Sequence, residues 1–211
     1  MICFSKNWGL LFLFMPLISF AHPHAFVDTA VTLIGNQTHI THLHMRWTFD
    51  PMTTAYMYDG YDLSQPKKAQ TLQIMASSVI KNLRNTHYFL YFFDGDKPIK
   101  YKTVNSAVIE DHHHQATLSF DIELSHPQPL TKDSLNLMIY DPTYYIDLYW
   151  NGREDIHLSP ELAKSCFFKI LAPHPTTEQM NYAVSLSVEE HGDDALGQLF
   201  TQKLQLDCHL K

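Results

Sequence analysis

Residues 25–49, AFVDTAVTLIGNQTHITHLHMRWTF, decide the fold. Two runs rich in β-branched and aromatic residues, AFVDTAVTLI and HITHLHMRWTF, flank Gly35-Asn36, which is the pattern of two strands joined by a turn. A β-hairpin is therefore expected. Side chains alternate along a strand, so His42, His44, Arg46 and Thr48 share one face while Leu43, Met45, Trp47 and Phe49 share the other. The apolar face reads as core. The polar face has two readings of equal weight: His42 and His44 as auxiliary metal ligands, or an ordinary solvated surface. Asp50, before Pro51, closes the strand as a ligand at a shared edge or as a helix cap.

Upstream, Lys6 precedes WGLLFLFMPLISF, an apolar run broken by Gly9, Pro16 and Ser19. It is shorter than the roughly 20 apolar residues that span a bilayer. Ser19 and Ala21 supply the small side chains of a secretory cleavage site, so residues 1–21 read as a signal peptide and His22 as the mature N-terminus. Residues 22–211 then form a single periplasmic domain of about 190 residues, within the range of one core.

Downstream, QPKKAQTLQIMASSVIKNLRN (65–85) places Leu72, Met75, Ala76, Val79, Ile80 and Leu83 at the spacing of an amphipathic helix. Strands resume at HYFLYFF and continue through IKYKTVNSAVI, QATLSFDIEL, SLNLMIYD and YYIDLYW. Beyond Pro173 the pattern turns helical, with TTEQMNYAVSLSVEE opening on a Thr-x-x-Gln cap and a segment around DDALGQLFTQKL leading to Cys208. The expected fold class is α+β: a mostly antiparallel sheet with one long amphipathic helix packed on it, followed by helical C-terminal segments.

Without the leader, 14 basic residues face 22 acidic ones, a charge of −8 that repels a phosphate backbone and argues against nucleic acid as partner. No second apolar stretch is long enough for a membrane. Cys166 and Cys208 form an even pair in an oxidising compartment, and a disulfide between them is preferred to two buried thiols.

Histidine is over-represented, with 14 against 15 lysines and arginines together. Neutral imidazole is a common metal ligand. At the mature N-terminus, alternation gives His22, His24, Phe26 and Asp28 one face, and two imidazoles with a carboxylate suit Zn²⁺. Cleavage adds an α-amino group on His22 as a further nitrogen donor. The run EDHHHQ places His112, His113 and His114 together, an auxiliary metal-trapping loop or a solvated hairpin tip. MIYDPTYYID sets Asp141 and Asp147 about an aromatic cluster, and His87 stands at a helix-to-strand junction. The patterns of a nucleophile elbow, a zinc-protease helix and a phosphate loop are all missing, which favours binding over catalysis.

A cleaved leader followed by AHPHAFVD, then MRWTFD, NTHYFLYFFD, IYDPTYYID and a late cysteine in KLQLDC, resembles the ZevA-type periplasmic zinc-uptake proteins. The resemblance spans nearly the whole mature chain, with HPHAFVD as its most specific element. It implies a zinc-binding accessory protein that is not an enzyme, working with an inner-membrane permease of the nickel/cobalt-transporter class. It also implies metal ligation by His22 and His24 and by Asp28, Asp50, His87 and Asp141. Nickel or cobalt is the other cargo considered. Two further readings stand beside it: a copper-dependent oxidative enzyme built on an N-terminal histidine chelate, and a structural or adhesion module with incidental metal binding.

Overall fold

The hairpin forms as its alternation requires. β1 (Ala25–Gly35) pairs antiparallel with β2 (His39–Phe49), from Val27 opposite Phe49 to Gly35 opposite Ile40. The turn is held by Asn36, whose Oδ1 accepts the amides of Thr38 (2.8 Å) and His39 (2.9 Å). Gly35 is required by space, since a Cβ there would lie 2.1 Å from the His39 carbonyl oxygen. The computed structural model describes residues 23–131, 134–186, 190 and 195–209. The leader expected at 1–21 and His22 lie outside them.

After β2 come α1 (Pro51–Tyr58), α2 (Lys68–Leu83), a 3₁₀ segment over Arg84–Phe89, β3 (Leu90–Asp94), β4 (Lys97–Pro98), β5 (Ala107–His112), β6 (Gln115–Pro129) and β7 (Leu135–Ile139). β8 (Ile146–Tyr149), β9 (Ile156–Leu158), β10 (Cys166–Leu171), α3 (Thr177–Ser185), α4 (Leu196–Phe200) and β11 (Lys203–Cys208) follow among the described residues. β1, β2, β5, β6, β8 and β9 make a six-stranded sheet ordered β5-β6-β2-β1-β8, with β9 also on β1. The other five strands form a second sheet ordered β10-β11-β7-β3-β4.

The expected α+β fold, one sheet carrying one long helix, is therefore overturned by a sheet-rich fold of two sheets. Two misread segments account for much of the difference. The helical segment expected around DDALGQLFTQKL is helical only over Leu196–Phe200, after which Leu204, Leu206 and Cys208 alternate inward with period two and Lys203–Cys208 pairs as β11. CFFKIL (166–171) was not read as a strand and forms β10 beside it. The six-stranded sheet is also not purely antiparallel, since β8 and β9 both run parallel to β1. IKYKTVNSAVI does not form one strand: beyond β4 only an isolated bridge, Tyr101 to Leu124, precedes β5.

Other local expectations hold. α2 buries Leu72, Met75, Ala76, Ile80 and Leu83, and α3 opens with reciprocal bonds between Thr176 and Gln179. Both sheets and the α2 stripe share one apolar core, in which Leu33, Ile40, Leu43, Met45, Leu118 and Ile122 are fully buried. Cutting such a Leu or Ile to Ala costs about 2 to 5 kcal/mol. Cys166 and Cys208 face each other across β10 and β11 and are joined by a disulfide. Closing its loop of 42 residues stabilises the chain by roughly 3 to 4 kcal/mol in the loop-entropy picture. No helix among the described residues is long and apolar enough to cross a membrane.

Candidate metal centre

The polar side of β1 near its start is completed by β8, a strand more than 100 residues away in sequence. In their parallel register Phe26 lies opposite Asp147 and Asp28 opposite Tyr149. Partners in register project to the same side of a sheet, so Asp28, Asp147 and Tyr149 gather on the outer face. The hydrogen-bonding contact of the Tyr149 hydroxyl with the Asp28 carboxylate pushes the phenol up to about 12. Partial burial and the charges of Asp28, Asp147 and Asp50 add to the shift. Asp147 is itself raised by burial. Oδ1 of Asp28 is buried without a hydrogen-bond partner.

His24 stands at the entrance to this face. Its amide donates to the Tyr145 carbonyl (2.9 Å), and its ring packs on the Tyr145 ring at 4.6 Å between centroids. The loop bearing Tyr145 is shaped by Asp141, which is 6% exposed and accepts from the amides of Thr143 (3.0 Å), Tyr145 (3.1 Å) and Ile146 (3.1 Å) and from the Thr143 hydroxyl (2.9 Å). Asp141 is thus an organiser of the loop. α4 seats against the same loop through Gly197, where a Cβ would fall 1.8 Å from the Asp141 carbonyl oxygen.

Asp50 caps α1. Its Oδ1 accepts from the amides of Met52 (2.8 Å) and Thr53 (2.9 Å), while Oδ2 accepts from the Phe26 amide (3.0 Å) and the Thr53 hydroxyl. Partial burial opposes ionisation, but the bonds from the Thr53 hydroxyl and the amides of Phe26, Thr53 and Met52 outweigh it and hold the carboxyl below its usual 3.8. His87 is elsewhere. It adopts a left-handed backbone (φ 52°) and lines a cavity of about 460 Å³ with Tyr91, Tyr101 and Lys100, none of the other expected ligands among its walls.

The auxiliary histidines separate into two places. His44 pairs with Thr32 whereas Thr48 pairs with Asp28, so His44 is four strand positions, about 13 Å, from the β1 centre. His112 ends β5, and His113 and His114 form the exposed β5–β6 turn with φ of 51° and 64°. That turn lies at the same end of the sheet as Asp50, since Gln115 donates to the Phe49 carbonyl (3.2 Å).

The structure thus gathers Asp28, Asp147 and Tyr149 on one face, leaves His24 four residues, about 13 Å, from Asp28 along the extended chain, uses Asp50 as a helix cap and Asp141 as a loop support, and places His87 apart. Among the described residues no group of three or more His, Cys, Asp or Glu side chains is arranged to hold one metal ion. Neither Tyr149 nor Asp147 is among the ligands expected from the sequence. Period two in YYIDLYW puts them on one face, but only the pairing of β8 with β1 reveals which neighbours they meet.

The family described as "Protein of unknown function (DUF1007)" matches residues 8–208. A protein of Haemophilus influenzae described as "Uncharacterized protein" is 34% identical over 208 residues, covering 96% of this chain and 99% of its own length.

Proposed function

The chain belongs to the DUF1007 family, and from that premise we propose that it is a periplasmic zinc-binding accessory protein that captures the ion at the start of β1 and passes it to an inner-membrane permease of the nickel/cobalt-transporter class. What supports this reading is the outer face of β1 and β8, where Asp28 and Asp147 gather, with His24 at the same alternation as Phe26 and Asp28 on the extended chain. An imidazole beside carboxylates is a donor set suited to Zn²⁺. In this reading His22 supplies the further nitrogen that the described residues lack, and its α-amino group becomes available once the leader is removed. The resemblance to ZevA-type zinc-uptake proteins supports export, zinc as cargo and a permease as recipient. The Cys166–Cys208 disulfide is of the kind that persists in an oxidising compartment.

Asp28 and His24 act as ligands, and Asp50 and Asp141 hold them in place. The centre lies on the outer face of β1, between β2 and β8. The test is zinc titration of the mature chain by calorimetry, with metal content measured on protein taken from the periplasm. His24→Ala and Asp28→Asn should each weaken zinc binding at least tenfold without unfolding the protein. Unchanged zinc affinity in the double variant would overturn the reading, as would periplasmic protein that carries no zinc, nickel or cobalt.

A further inference from the structure

The outer face of β2 carries a second arrangement, distant from β1's start. The β1–β2 register places Ile34 opposite His42 and Gly35 opposite Ile40, so Thr41 is the extra residue of a β-bulge. The β2–β6 register skips the same residue. Bulges re-aim side chains. Here the bulge brings the Thr41 hydroxyl to 3.0 Å from Nδ1 of His42 while the same hydroxyl donates to the Ile34 carbonyl at 3.1 Å. A hydroxyl has one hydrogen and a carbonyl can only accept. The Thr41 proton is therefore used on Ile34, its oxygen accepts from His42, and Nδ1–H is the tautomer of that ring. Nε2 of His42 is left as a bare lone pair.

His44 reaches the same state by another route. Its Nδ1 lies 2.8 Å from Oδ1 of Asp121, its register partner on β6. An ionised carboxylate only accepts, so Nδ1 carries the hydrogen and, in the neutral ring that binds metal, Nε2 holds the lone pair. A carboxylate behind the ring nitrogen fixes the ring's orientation, the usual support of a metal-bound histidine. The His44 side chain is 43% exposed. Glu123, opposite His42, is held by Lys102, so further coordination falls to water.

We propose that His42 and His44 form a two-imidazole site for a divalent transition-metal ion such as Zn²⁺ on the solvent face of β2, with both ring tautomers preset by Thr41 and Asp121. Two residues apart on a strand, the rings start about 6.6 Å from each other. Sharing one ion requires each Nε2 to come within about 2.0 to 2.1 Å of it. The site is independent of the centre at β1.

The experiment uses the mature, metal-free chain titrated with Zn²⁺ by calorimetry, together with long-range ¹H–¹⁵N NMR of the histidine rings before metal is added. NMR should find Nδ1–H on both His42 and His44. The double variant His42→Gln, His44→Gln should lose one zinc site. Asp121→Asn keeps both imidazoles and should weaken that site about 10- to 100-fold, with circular dichroism unchanged. Because His24→Ala leaves both rings in place, the site should survive it, whereas the same variant probes the β1 centre. An Nε2–H tautomer on either ring, unchanged zinc stoichiometry and affinity in the double variant, or loss of this site in His24→Ala would each overturn the proposal.

Discussion

Phe26 and Asp50 hold each other twice: the Phe26 amide donates to Asp50 Oδ2 at 3.0 Å, and the Asp50 amide donates to the Phe26 carbonyl at 3.0 Å. One carboxylate thereby starts α1 and fastens the first turn of β1, so the strand that carries Asp28 and the helix beside it keep a fixed relation.

Replacing Asp50 by Ala should destabilise the protein by about 1 to 2 kcal/mol, the range for a lost N-cap. Urea unfolding at neutral pH measures it. The carboxyl is held below 3.8 in the folded chain. Its contribution is therefore present above about pH 3.8 and is lost as the pH falls through the lower folded value. Asp50→Asn should show less acid sensitivity than the parent over that window, and an identical acid limb in the two proteins would refute the assignment.

Asp141→Ala should cost more. It strips the acceptor from three amides and a hydroxyl beneath Tyr145, and each buried donor left unsatisfied costs about 1 to 3 kcal/mol. A loss of at least about 3 kcal/mol in denaturant unfolding is expected, with Asp141→Asn intermediate. A change within about 0.5 kcal/mol, typical of an indifferent surface site, would show that the loop does not depend on this carboxylate.

Tyr149 should ionise late. Its hydroxyl is pushed up to about 12, chiefly by its contact with Asp28. The stability this contributes is fully present below pH 10 and lost as the pH rises through about 12. An ultraviolet difference titration between the parent and Tyr149→Phe isolates the group, and repeating it in the Asp28→Asn background should move its ionisation to lower pH. If it stays where it was, Asp28 is not the principal cause.

The β5–β6 turn asks His113 and His114 to adopt φ of 51° and 64°, a conformation that favours Asn and Gly. His113→Asn with His114→Gly should raise stability by about 1 kcal/mol and leave zinc affinity at the β1 centre unchanged. A fall in that affinity would give the histidine tip a role in binding that its position does not predict.

What the sequence determined by itself was whatever rests on contacts a few residues apart. The β1–β2 hairpin, the apolar stripe of α2 and the Thr176 cap of α3 follow from alternation, three-and-four spacing and side-chain-to-amide bonds, all of them local. The pairing of Cys166 with Cys208 was also legible, because only two cysteines remain beyond the leader. Tertiary structure alone decided that the strands divide into two sheets and that KLQLDC is a strand, since a six-residue run takes its conformation from the partners it pairs with. It alone brought Asp147 and Tyr149 to Asp28, through a parallel pairing between strands separated by more than 100 residues. The same limit applies to the candidate ligands. Aspartate at positions 28, 50 and 141 looks alike in sequence, and only the donors that fold around each one make the first a candidate ligand, the second a helix cap and the third a buried support.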